Sequence, residues 1–186
     1  ASLDKVFTII VDWALARFKQ PVRQLNKALV ASVVEVYNSI TASLKPTPAK
    51  LHYTFNLRDV SKVFQGISMA HPACLEAPVD MVRMWGHECM RVFHDRLINE
   101  EDRGWFLGAI ENNCKKHFKL PWSSQVRGEN ETLIYGNFGD PSANQRCYQE
   151  ISDHQKLFDT MYEYLGDYNN MNKTKMNLVL FANAIE

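Results

Sequence analysis

The sequence predicts a mainly α-helical domain, and three observations carry that reading. Apolar residues recur at intervals of three and four along most of the 186-residue chain. Helix-start and helix-stop signals divide these stripes into separate elements. Extended runs are few and short: HYTF at 52–55 and TLIY at 132–135.

Leu3, Phe7, Ile10, Ala14 and Phe18 form the first stripe, with Ser2 as its expected N-cap. Pro21 restarts the chain. A longer stripe follows through Val22, Leu25, Leu29, Val33, Tyr37, Ile40 and Leu44. The segment Lys45-Pro46-Thr47-Pro48 ends it, because proline has no amide to give the helix. Asn56 and Asp59 stand at reciprocal capping positions for a third helix, whose apolar face is Leu57, Val60, Val63, Phe64 and Ile67. Pro78 suits the first turn of a fourth, lined by Met81, Trp85, Cys89 and Val92. Asn99 followed by Glu100, Glu101 and Asp102 opens a fifth, expected to run to about Phe118, because acids favour the positive end of a helix. From Leu120 to Ala143 the chain turns rich in glycine and proline, and a short β-hairpin is allowed near residues 130–138. A sixth helix is expected over Asn144–Leu165, a linker over Gly166–Lys173, and the start of another helix over Met176–Ile185.

Composition narrows the function. The chain is 46% hydrophobic and 23% charged, with 21 basic and 21 acidic residues. That balance argues against a surface built to neutralise nucleic acid or anionic lipid. No stretch is long and apolar enough to span a membrane. Cys74, Cys89, Cys114 and Cys147 are widely spaced and form no C-x-x-C pair, so they read as free thiols and neither zinc nor redox chemistry is indicated.

No complete active site stands in the sequence. Both the phosphate loop G-x-x-x-x-G-K-[ST] and G-x-G-x-x-G are absent. His87-Glu88 begins like a zinc-protease motif, but Arg91 occupies the place of the second histidine. His87 and His94 lie two turns apart, a spacing read here as packing or surface in preference to a metal pair. Glu88, Arg91, Asp95 and Arg96 have spacings that suit solvated salt bridges. Trp85, Phe93, Trp105 and Phe106 read as core. Arg58 breaks a local rule. A cation in the first turn opposes the helix dipole, at a cost of about 0.3–1 kcal/mol. The same position beside helix-end amides suits a phosphate. On residue chemistry alone the plainer reading is a charge that meets a carboxylate in the fold or points to water.

The stretch PTPAKLHYTFNLRDVSKVFQG, residues 46–66, resembles a signature of axonemal dynein heavy chains in the lid of their third AAA+ module. The likeness continues through MWGHECMRVFHDRLINEEDRGWF at 84–106, LIYGNF at 133–138 and MNLVLFANAIE at 176–186, and so covers nearly the whole chain. The resemblance implies an AAA+ small-subdomain helical bundle over 1–170, then a linker and the truncated start of the next module over 171–186. It implies part of a ring-shaped, ATP-hydrolysing, microtubule-based motor that bends cilia. It places that motor in the cytoplasm, in the axoneme of a cilium or flagellum. The third module is regulatory in that family, its nucleotide gating the main ATPase in the first. Arg58 matches the sensor-2 arginine that reaches nucleotide phosphate when the lid closes; Asn56 and Asp59 read as caps. ATP or ADP with Mg belongs to the full module. The lid alone is expected to hold no cofactor and no metal and to catalyse nothing. Its implied partners are the large α/β subdomain and the neighbouring ring modules. Microtubules are engaged only by other parts of the parent chain. One flank is expected to be unusually apolar. The rivals are a free-standing helical interaction module and an enzyme built on His87, Glu88 and His94.

Overall fold

The computed structural model describes residues 2–127, 133–138 and 147–179. Among these residues seven α-helices run in chain order: α1 Ser2–Leu15, α2 Gln20–Arg23, α3 Asn26–Ser43, α4 Leu57–Ser68, α5 Pro78–Cys89, α6 Glu100–Phe118 and α7 His154–Met171. Two π-helical turns join them, Met90–His94 after α5 and Trp122–Arg127 after α6. Two short strands, β1 Tyr135–Gly136 and β2 Gln149–Glu150, pair antiparallel with Tyr135 opposite Glu150.

Local chemistry accounts for most of these boundaries. The Asn56 side chain accepts from the Arg58 amide at 2.9 Å, and the Asp59 carboxylate accepts from the Asn56 amide at 3.0 Å. This is the reciprocal cap expected at the head of α4. Asn99 accepts from the Asp102 amide at 3.2 Å and starts α6. That helix closes on Lys115, Lys116 and His117, whose charge suits the negative end, and on Lys119 in the left-handed region at φ 61°.

The core lies between α1, α3, α4, α5 and α6. Helix α3 packs against both α1 and α6, and α4 against α5. Phe7 of α1 stacks on Phe64 of α4 with centroids 4.5 Å apart. Trp85 is wholly buried and meets Phe118 and Trp122 edge-on. Phe93 and Phe106 are buried as well, so three of the four aromatics read as core are so; Trp105 is partly buried against the same cluster. Each large apolar side chain so buried contributes about 1.5–3 kcal/mol.

Four expectations change. The stripe after Pro21 is broken, because Asn26 is buried and its amide group turns to the Thr8 carbonyl and the Asp12 carboxylate on α1. The strand near residue 135 pairs with 149–150, and the Ile151 amide extends the pairing by donating to the Ile134 carbonyl at 2.8 Å; residues 130–132 of the expected hairpin lie outside the described residues. Asp153, which accepts from the Lys156 amide at 3.0 Å, therefore starts the last helix at His154 instead of Asn144, and α7 runs through the expected linker to Met171. Met176–Val179 is not helical. Asn169 holds Met176 through both its backbone groups, at 2.7 and 3.0 Å. The remainder of that expected helix lies outside the described residues.

Candidate functional site at the head of α4

Arg58 is the second residue of α4 and is exposed. Its guanidinium makes no hydrogen bond or ion pair among the described residues. Its backbone amide is taken by Asn56, and the Asp59 amide by the Asn56 carbonyl at 3.0 Å. The cap thus occupies two of the helix-end amides, so anion affinity here rests mainly on the Arg58 side chain.

The residues that set the start of α4 are themselves held. Asp59 is buried and pairs with Arg96 at 3.0 Å. Burial pushes the Asp59 carboxyl up, but the Asn56 amide, Arg96 and Lys62 outweigh it and hold it below the usual range. The Arg96 guanidinium lies 4.9 Å from the Phe55 ring and donates to the His52 carbonyl at 2.9 Å. Tyr53 is buried; its hydroxyl donates to Asp102 at 2.8 Å and accepts from the Ile98 amide at 3.1 Å. The loop before α4 is thereby locked to the start of α6. Among the described residues Arg58 is left unpaired on a capped helix end, a place suited to an anion.

The histidine reading fares differently. His87 Nδ1 donates to the Leu133 carbonyl at 2.6 Å, and Nε2 lies 3.2 Å from the Tyr148 hydroxyl. Burial pulls the imidazole below its ordinary pKa. Glu88 is wholly buried, paired with Arg91 at 2.7 Å, and accepts from Tyr148 at 2.6 Å. These residues form a buried polar clasp between α5 and the segments around 133 and 148, each group satisfied by another within the fold. The salt bridge foreseen for Glu88 and Arg91 is present, but it is half interior.

The cysteine reading missed a convergence. His71, Cys74 and Cys147 present ligand atoms all within 4.8 Å of one another. Burial and the neighbouring Cys147 sulfur push the Cys74 thiol up to about 11. Cys89 and Cys114 are buried singly. The signal in the sequence was H-x-x-C at 71–74, one turn of chain; its third member comes from the other side of the fold.

Residues 29–120 match the AAA+ lid domain family. The chain carries an AAA+ lid domain. Around it the likeness is to dynein heavy chains. The chain is 45% identical over 161 residues, 87% of its length, to dynein axonemal heavy chain 1 of Rattus norvegicus. It is 38% identical over 187 residues, all of its length, to dynein axonemal heavy chain 6 of Homo sapiens. It is 35% identical over 195 residues to dynein axonemal heavy chain 3 of Homo sapiens. The lid and its flanks are therefore homologous to axonemal dynein heavy chains, and span only 4–5% of the length of these relatives.

A second surface is apolar. On α1, Val6, Ile9, Ile10 and Trp13 are exposed, Ile9 at 69% and Trp13 at 80%. Exposed apolar side chains clustered on one element mark a contact face.

Proposed function

We propose that this chain is the lid of the regulatory third AAA+ module of an axonemal dynein heavy chain, a microtubule-based, ATP-hydrolysing motor of the ciliary axoneme. In this reading residues 1–170 are the lid proper, and 171–186 lead toward the next module. The observation that carries the proposal is Arg58: exposed, without a partner among the described residues, and carried on a helix start fixed by the Asn56–Asp59 cap. The likeness of residues 46–66 to the third-module signature supports the choice of module.

Arg58 acts as the phosphate sensor. Nucleotide bound by the large α/β subdomain supplies the anionic phosphates, with Mg. Arg58 gives the closed lid an affinity that the open lid lacks, which is what any ligand-driven switch requires. Helices α3 to α6, packed as one block, transmit the movement to the neighbouring module. The apolar face of α1 supports a standing contact with another part of the same ring, and argues against a free-standing interaction module, which would present a polar surface.

The test is ATP affinity in a protein that joins this lid to the α/β subdomain of its module. Arg58→Ala is expected to weaken ATP binding by about tenfold or more, the scale of a charged hydrogen bond. Arg58→Lys should recover only part, because an ammonium cannot form the two-pronged contact. ATP hydrolysis or microtubule binding by this chain alone would refute the reading.

A further inference from the structure

We propose that His71, Cys74 and Cys147 form a zinc site that clasps the α4–α5 connection to the strand region before α7. Three ligand atoms of the types zinc prefers, one imidazole nitrogen and two sulfurs, lie within 4.8 Å of one another. Zinc–ligand bonds of about 2.0–2.3 Å place tetrahedral ligands about 3.6 Å apart, so the three need draw in by only about 1 Å. All three are half-buried, which leaves a fourth position for water.

The backbone holds the site independently of any ion. The Cys74 and Leu75 amides both donate to the His71 carbonyl, at 2.9 and 3.2 Å, and fold 71–75 into a turn. That turn brings residues three apart onto one side. Arg17, just past the end of α1, donates to the Ala70 carbonyl at 3.0 Å and anchors the turn. Across from it, Ala70 and Tyr148 form a backbone bridge, and Tyr148 is tied to Glu88 through its hydroxyl. Cys147 is thus delivered beside the turn by its neighbour. His71 Nδ1 accepts from the Ala73 amide at 3.3 Å, which orients the ring. Two soft sulfurs and an imidazole select zinc over magnesium or calcium, which prefer oxygen. Zinc bound here replaces the protons of both thiols, and it ties together segments more than 70 residues apart in sequence.

The experiment is a zinc titration of the reduced 186-residue chain against a chromophoric chelator, with cobalt as the optical probe. One equivalent of zinc is expected. The cobalt form should show thiolate-to-metal charge transfer, and zinc should raise the thermal midpoint. Cys74→Ser and Cys147→Ser, checked for folding by circular dichroism, should each lower zinc affinity by at least about tenfold. His71→Ala should weaken it as well, while Cys89→Ser and Cys114→Ser leave it unchanged. Failure of the reduced chain to take up one equivalent overturns the proposal. So does a cobalt spectrum without thiolate bands, or unchanged affinity in the Cys74→Ser/Cys147→Ser double variant. Isolation of a Cys74–Cys147 disulfide whose reduced form ignores zinc also overturns it, in favour of a redox clasp.

Discussion

The buried carboxylate of Glu88 sits against Gly66: a Cβ on that glycine would stand 2.0–2.3 Å from the Glu88 carboxyl atoms. Glu88 cannot swing aside cheaply, because Arg91 and Tyr148 both hold it. Gly66 is what lets α4 approach α5 with a charged pair between them. Gly66→Ala is expected to destabilise the chain by about 1–3 kcal/mol, the usual cost of overpacking. Gly108→Ala, on the exposed side of α6 with nothing nearby, should act in the opposite direction by about 0.5–1 kcal/mol. Denaturant unfolding of both variants checks the pair of signs.

Cap and proposed sensor make separate predictions at the head of α4. Asn56→Ala should cost about 1 kcal/mol by freeing the Arg58 amide. Arg58→Ala should leave stability within about 0.5 kcal/mol, since its side chain supports nothing in the lid. A large loss of stability on removing Arg58 would mean that its charge serves the fold.

His87 sets an expected pH dependence. Its imidazole is held neutral by burial, so its folded pKa lies below the ordinary value near 6.5. The unfolded chain therefore binds the proton more readily. Stability is fully present above about pH 6.5 and falls as pH drops below it toward the folded pKa. His87→Gln should flatten the decline of the thermal midpoint between about pH 7 and 5. An unchanged slope would assign that decline to other groups.

The α1 face makes a prediction about association. Ile9→Lys and Trp13→Glu remove apolar surface that the lid itself does not bury, so folding should survive them. If the wild-type chain self-associates in sedimentation, each variant should reduce it, and each should weaken docking to the α/β subdomain. Variants that unfold instead would show that α1 is held by that face.

How far the sequence could be read follows from range. Caps at Asn56 and Asn99 and the proline at 78 are local, and the structure places helices at each of them. The last third was misread because its decisive contacts are distant. Tyr148 and Ile151 continue the helical period of Leu157 and Phe158, so nothing local separates them. Pairing of 149–150 with 135–136 decides the matter, and Asp153 then starts the helix. At the head of α4, the conflict with the helix dipole singles out Arg58, but only the family resemblance turns it toward phosphate. The Cys147 contribution was invisible, because it depends on the bridge between Ala70 and Tyr148.

The most direct measurement is the distance between this lid and the α/β subdomain, read by energy transfer between two labels as ATP is added. With Arg58 present, ATP should shorten that distance; with Arg58→Ala, equally folded and saturated with ATP, the lid should stay open. Closure of the same extent in both proteins would contradict the sensor role and return Arg58 to an ordinary surface charge.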